Sequence, residues 1–253
     1  MTGASQGLGA AIALCLASKG VAISLAARIE KPLRAMEADI LKKGGRAMAI
    51  QADVADAKAC SHIVEKTFER WGRLDAQVNN AGILGPLAYT ADSDPSAWLK
   101  TIEVNVMGAY HMARAGLPWL RESTGRIINV SSGAATTALA AAGAYCVSKA
   151  ALNHFTQILA EEEPGVTSIA VRPGVVDTPM QTTLRETAPS VMPRELAGYY
   201  EELKAAGNLE PPEIPGRSIA WLALHAPSDW SLSLIHISEP TRPILVSRMP
   251  SSA

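Results

Sequence analysis

The sequence predicts an α/β fold, a doubly wound parallel sheet covered by helices on both faces. Three observations predict it. Short aliphatic and β-branched runs alternate with longer amphipathic stretches along most of the 253 residues. The runs show little polar alternation, as expected of strands buried on both faces. A glycine-rich loop, Thr2-Gly3-Ala4-Ser5-Gln6-Gly7-Leu8-Gly9, leads straight into the first apolar helix. Free backbone N–H groups and a helix N-terminus meet phosphate in that arrangement.

In chain order, the spacing predicts a helix over Gly7–Lys19 and a strand over Val21–Ala27. A helix over Pro32–Lys43 follows, then a strand over Ala47–Gln51 and a helix over Asp56–Trp71. Gly20, Gly44-Gly45 and Gly72 come directly after the three helices as stop signals. Leu74–Asn79 is a strand, Pro95–Leu120 a long helix, Arg126–Val130 a strand, Tyr145–Glu162 a second long helix and Thr167–Val171 a strand. Strands that alternate with helices imply right-handed βαβ units. Residues 178–216 break the rhythm with six prolines. They are expected to form a mobile, lid-like excursion with one short helix near Arg194–Ala206. A last helix spans about Pro215–Ala226.

Composition excludes several classes. Hydrophobic residues make up 48% and charged residues 19%, enough apolar surface for a sizeable core. The net charge of −1 lacks the basic excess of a nucleic-acid binder. No uncharged apolar run has the roughly 18 residues of a membrane span. Cys15, Cys60 and Cys146 are scattered and odd in number, and the five histidines do not pair at ligand spacing. No metal site is expected, and a reducing, cytoplasmic setting is.

Further motifs stand at the strand ends. Asn79-Asn80-Ala81-Gly82 closes one strand, Pro173-Gly174 another, and Ser132 follows a third. Ser132 precedes Tyr145 by thirteen residues, and Lys149 follows Tyr145 by four. TGxxxGxG, NNAG, the serine, YxxxK and PG in this order resemble the short-chain dehydrogenase/reductase family, in its compact form of about 250 residues. The resemblance covers residues 1 to about 230. It implies a Rossmann-type fold and an oxidoreductase that moves a hydride between a nicotinamide cofactor and a ketone or secondary alcohol.

Tyr145 and Lys149 share one helix face. A phenol near pKa 10 is a poor acid–base catalyst at neutral pH. A neighbouring ammonium, together with the positive nicotinamide ring of an oxidised cofactor, is expected to lower that value, so that the phenol passes a proton to a carbonyl oxygen or takes one from an alcohol. Ser132 is placed to bond the same oxygen; Ser131 is the alternative. The resemblance adds Asn105, which holds a water in the proton path.

The resemblance also implies which residues hold the cofactor: Gly3, Ser5, Gln6, Gly7, Leu8, Gly9, Asp53, Val54, Asn80, Ala81, Gly82, Tyr145, Lys149, Pro173, Gly174, Val176 and Thr178. Ala27 and Arg28 end the second strand of the family pattern. A small residue followed by arginine resembles the NADP(H)-preferring arrangement, since guanidinium suits a phosphate. Gln6 and the nearby Glu30 are less typical of that arrangement, and NAD(H) stays open. Relatives pair the two long helices into homodimers or homotetramers, so oligomerisation is implied, with a small carbonyl or alcohol compound as substrate. Ala134–Ala144, rich in alanine and threonine, suggests an apolar wall.

Both ends depart from the family pattern. Only Met1 precedes Thr2, where relatives have a strand in mid-sheet. The natural last strand is expected to be absent too. Leu232–Arg242 and Ser247–Ala253 resemble the translation of a transposase-type sequencing adapter. Residues 1–230 are therefore expected to form the truncated domain and 231–253 an artefactual tail, although Leu232–Ile237 alternates as a strand does. The rival readings are a dinucleotide-binding protein without catalysis and an inactive fragment.

Overall fold

The computed structural model describes residues 1–231, 233–236 and 245–248. In chain order these form α1 (Gly7–Ser18), β1 (Ala22–Ala27), α2 (Glu30–Lys42), β2 (Arg46–Gln51), α3 (Ala57–Trp71) and β3 (Ala76–Asn79). Next come α4 (Pro95–Ile102), a π-helical turn (Glu103–Met107), α5 (Gly108–Ser123), β4 (Arg126–Val130), α6 (Gly143–Glu162) and β5 (Thr167–Arg172). The chain then forms α7 (Pro179–Val191), α8 (Arg194–Ala205), α9 (Glu213–His225), β6 (Ser233–His236) and β7 (Leu245–Arg248).

The five strands expected upstream of residue 178 are all present, within two residues of their expected ends. β1 pairs with β2, and β3, β4, β5 and β6 run parallel in that order, with β7 antiparallel at the edge. One face is covered by α1 and α9. Leu8, Ile12 and Leu16 of α1 meet Ile219 and Leu222 of α9 over Leu25, Val78, Ile128 and Ile169. On the other face, Ile63 and Val64 of α3 and Met112 of α5 pack with Ile50, while Leu120 and Leu159 cover Ile127. Strands buried on both sides explain the absence of polar alternation.

Between β1 and β3 no strand intervenes among the described residues, and residues 1–4 span the top of the gap. Thr2 donates its N–H to the Val78 carbonyl at 3.0 Å, and Ala26 donates to the Met1 carbonyl at 2.9 Å. The two sheets are thus joined at their C-terminal ends, where the strand-end motifs lie. Lower down, a cleft of about 520 Å³ separates Ile23 and Ser24 from Ala76 and Val78. The Trp71 indole N–H reaches the Ser24 hydroxyl there at 3.1 Å.

Local chemistry sets the helix limits. Asp56 caps α3 by accepting from the Lys58 N–H, and Gly72 ends it at φ +73°. Asp94 caps α4 with Pro95 in the first turn. The long helix expected over Pro95–Leu120 is interrupted by the π-helical turn, where Asn105 is buried. Such insertions recur at functional sites.

Residues 178–216 correct one expectation. They hold two helices, α7 and α8, rather than one. Pro179 stands in the first turn of α7, where its missing N–H costs nothing, and so opens the helix instead of breaking it. Leu184, Ala188, Met192, Ala197 and Tyr200 form a small core of their own with Ala141 and Ala142. The place beside β5, where the natural last strand was expected to be absent, is taken by β6 from the alternating segment Leu232–Ile237, with Leu234 and Ile235 buried. Of the expected tail, residues 232, 237–244 and 249–253 lie outside the described residues.

Candidate active site

A cavity of about 690 Å³ opens along the C-terminal ends of the strands. Its position follows from the fold, because the loops that leave parallel strands converge there. At one end the glycine loop turns back over β1. Gly3 has φ +62°, and a Cβ at Gly9 would collide with the Gly3 carbonyl oxygen. Only glycine lets the loop backbone fold this closely on itself and on Asn80. Thr2 ties this loop to the next one, its hydroxyl accepting N–H bonds from Asn80 and Ala81 at 3.1 Å each. Asn80 Nδ2 donates to the carbonyls of Thr2 and Gly3.

The structure brings together every residue expected to hold a cofactor. Gly3, Ser5, Gln6, Gly7, Leu8 and Gly9 line the cavity with Arg28, Asp53, Val54, Asn80, Ala81 and Gly82. Tyr145, Lys149, Pro173, Gly174, Val176 and Thr178 line the rest of it. Arg28 is exposed at the cavity rim; its carbonyl accepts from Gln51 Nε2 at 3.0 Å, and its guanidinium has no hydrogen-bond or ion-pair partner among the described residues. Glu30, the nearby acidic residue noted in the sequence, is paired with Arg34 at 3.4 Å. Asp53 accepts from the Ala55 N–H and stands 3.8 Å from the Lys100 ammonium.

At the other end stand Ser132, Tyr145 and Lys149. The Ser132 hydroxyl stands beside the Tyr145 phenol, near enough to lower its pKa, and accepts the Ala134 N–H at 3.2 Å. The alternative, Ser131, is turned away: it is buried and donates to Asn153 Oδ1. Lys149 Nζ lies 5.7 Å from the Tyr145 ring centroid and donates to the Val130 carbonyl at 2.8 Å. Burial lowers the Lys149 pKa to about 8. Burial also raises Tyr145 above its ordinary value, and Ser132 pulls the other way. Desolvation is the larger of the two effects that the protein's own groups exert on the phenol.

Asn105 lies outside the cavity lining. Its Nδ2 donates to the Ile83 carbonyl and the Ser148 hydroxyl at 2.9 Å each, and its Oδ1 accepts from the Ile83 N–H at 2.8 Å. It locks the loop after Gly82 onto the helix that carries Tyr145 and Lys149. A Cβ at Gly82 would come within 3.3 Å of Asn105 Oδ1 and 3.6 Å of Lys149 Nζ.

The wall beyond Tyr145 was only partly foreseen. Leu139 and Ala142 come from the expected apolar segment, whereas Leu84, Leu184, Met192, Tyr199 and Tyr200 were not singled out. The apolar positions of α7 and α8 were a signal, but the prolines around them masked the helical period. Among the described residues no group of His, Cys, Asp and Glu is arranged to hold a metal.

Comparison with known proteins follows the same lines. Residues 1–189 match the family model described as short chain dehydrogenase. An uncharacterized oxidoreductase of Schizosaccharomyces pombe is 34% identical over 226 residues, 89% of this chain and 90% of that protein. The crystal structure of a short chain dehydrogenase/reductase from Saccharomyces cerevisiae superposes with a TM-score of 0.90 at 34% identity, covering 94% of this chain and 95% of that one. Actinorhodin polyketide ketoreductase, crystallised with NADPH, gives a TM-score of 0.85 at 28% identity and 93% coverage of each chain.

Proposed function

The chain belongs to the short-chain dehydrogenase/reductase family, an NAD(P)-dependent oxidoreductase family, and from that premise we propose that it is a ketone reductase that prefers NADP(H), with Asn105, Ser132, Tyr145 and Lys149 as its catalytic groups. The observation that carries the proposal is the meeting of Ser132, Tyr145 and the buried Lys149 ammonium, 5.7 Å from the Tyr145 ring, in one cavity with the glycine loop.

The residues present fit a nicotinamide dinucleotide. Gly3 and Gly9, where a Cβ would strike Asn80, Ala81 or the Gly3 carbonyl, let the loop pack tightly along the cavity they line. Arg28 offers an unpaired guanidinium for a 2′-phosphate. The ketoreductase named above was crystallised with NADPH, which supports the same preference. A bound dinucleotide supplies the hydride for reduction, or accepts it for oxidation.

The protein's own groups move the proton. Ser132 holds the substrate oxygen while Tyr145 donates its phenolic proton to it, so that ketone, hydride and proton give the alcohol. The raised Tyr145 pKa keeps that proton in place at neutral pH. Lys149, charged below about pH 8, offsets the phenolate left behind. Asn105 fixes the loop and helix through which the proton is restored by way of a water.

On the outside of the two long helices, Leu99 is 60% and Val147 49% exposed, with Met107, Tyr110 and Ile158 also exposed. That apolar stripe supports the reading that subunits pair through α4, α5 and α6. A cytoplasmic location is part of the same proposal, and no helix among the described residues is long and apolar enough to cross a membrane. Loss of NADPH absorbance with a panel of ketones tests the function. Consumption with at least one ketone, and slower consumption of NADH, is expected; no consumption with either cofactor contradicts it.

A further inference from the structure

The α7–α8 wall of the cavity is made of uncharged residues: the lining side chains include Leu184, Met192, Leu196, Tyr199 and Tyr200. The charged groups elsewhere in the lining have other places. Arg28 and Asp53 follow β1 and β2, Lys149 is bound to Val130, and the Arg172 guanidinium lies against Gly133. An uncharged, mainly apolar substrate body suits such a wall.

Tyr200 is out of keeping with that wall. It is only 7% exposed and packs within the apolar group of Leu184, Met192, Ala141 and Ala142. Its hydroxyl has no hydrogen-bond partner among the described residues and is not sealed from solvent as the buried unpaired atoms are, and the residue lines the cavity. A phenylalanine would pack there equally well, so the buried ring does not account for an accessible, unpaired hydroxyl. Tyr200 is also close enough to Tyr145 and Cys146 for their negative charges to disfavour its own ionisation, after burial and Tyr199 have done so. The phenol therefore stays protonated near the reacting centre, as a hydrogen-bond donor.

We propose that Tyr200 is a specificity-determining residue, whose phenol donates a hydrogen bond to a second oxygen of the substrate. The preferred substrate class is then an uncharged, apolar ketone with a further acceptor oxygen close to the reacting carbonyl, such as a diketone or a keto ester. This rests on the ketone-reductase reading above and narrows it. A site built to donate a hydrogen bond discriminates against analogues that lack the acceptor, because the donor is then left unpaired.

The test compares phenylpropanedione with propiophenone, the same skeleton with one carbonyl replaced by a methylene. The ratio of their kcat/KM values is measured with NADPH for the unaltered protein and for Tyr200→Phe. Comparing ratios cancels the different intrinsic reactivity of the two ketones and any general effect on folding. The ratio is expected to fall about tenfold in Tyr200→Phe, the value of roughly one neutral hydrogen bond. An unchanged ratio would overturn the proposal. If neither compound consumes NADPH in the unaltered protein, the catalytic reading fails, and specificity is then judged by calorimetry on the NADPH-loaded protein. The dione must bind about tenfold more weakly to Tyr200→Phe, and equal binding overturns the proposal.

Discussion

Lys149 Nζ donates to the Val130 carbonyl at 2.8 Å, so the ammonium of α6 is anchored to the end of β4. That bond fixes the cation beside Gly82, with no carboxylate partner among the described residues. A cation held by a neutral acceptor keeps its full charge for the site, but burial costs it pKa.

The first prediction follows from that cost. The kcat/KM for NADPH reports the protein before the cofactor binds. Lys149 is lowered to about 8 by burial, so its charge is present below that pH and lost above it. Tyr145 is raised and keeps its proton over the same range. The profile for ketone reduction should be level below about pH 8 and fall above it. A level profile through pH 10 would contradict the assignment.

Arg28 sets the second. If its guanidinium holds the 2′-phosphate, Arg28→Ala should weaken NADPH by roughly 1.5–3 kcal/mol, the range for a charged hydrogen bond. NADH binding should change little. Fluorescence titration with both cofactors checks this, and equal losses for the two would make Arg28 a bystander.

Thr2 sets the third. Its hydroxyl accepts two loop N–H groups, and its backbone joins the sheets. Thr2→Val keeps the shape and removes the acceptor, leaving the Asn80 and Ala81 N–H groups unpaired. A loss of about 1–3 kcal/mol in urea unfolding is expected, with weaker dinucleotide binding. Unaltered midpoint and affinity would show that the loop is held by other contacts.

Much of the site is local in sequence, and for that reason it was legible. TGxxxGxG, NNAG and the Tyr145/Lys149 pair each lie within one loop or one helical turn, and the strand ends bring them to one cavity. The choice of Ser132 over Ser131 came from spacing, and Ser132 is the one beside Tyr145. Other features depend on tertiary packing. α7 was missed because Pro179 looks like a breaker until its place in the first turn is known. Tyr199 and Tyr200 could not be told from surface tyrosines, since only the packing of α7 against α8 decides what they face. The burial that raises the Tyr145 pKa was not legible either, because a sequence shows the neighbouring lysine but not the packing around the phenol.

Proton transfer by Tyr145 is the central claim, and Tyr145→Phe tests it most directly. The substitution removes the phenolic proton and leaves the ring, the glycine loop and Arg28 in place. Steady-state reduction of a ketone that the unaltered protein accepts, measured beside NADPH affinity, gives the answer. Turnover is predicted to fall by about 10²–10⁴, the usual effect of removing a general acid, with cofactor affinity little changed. Turnover close to that of the unaltered protein would contradict the account.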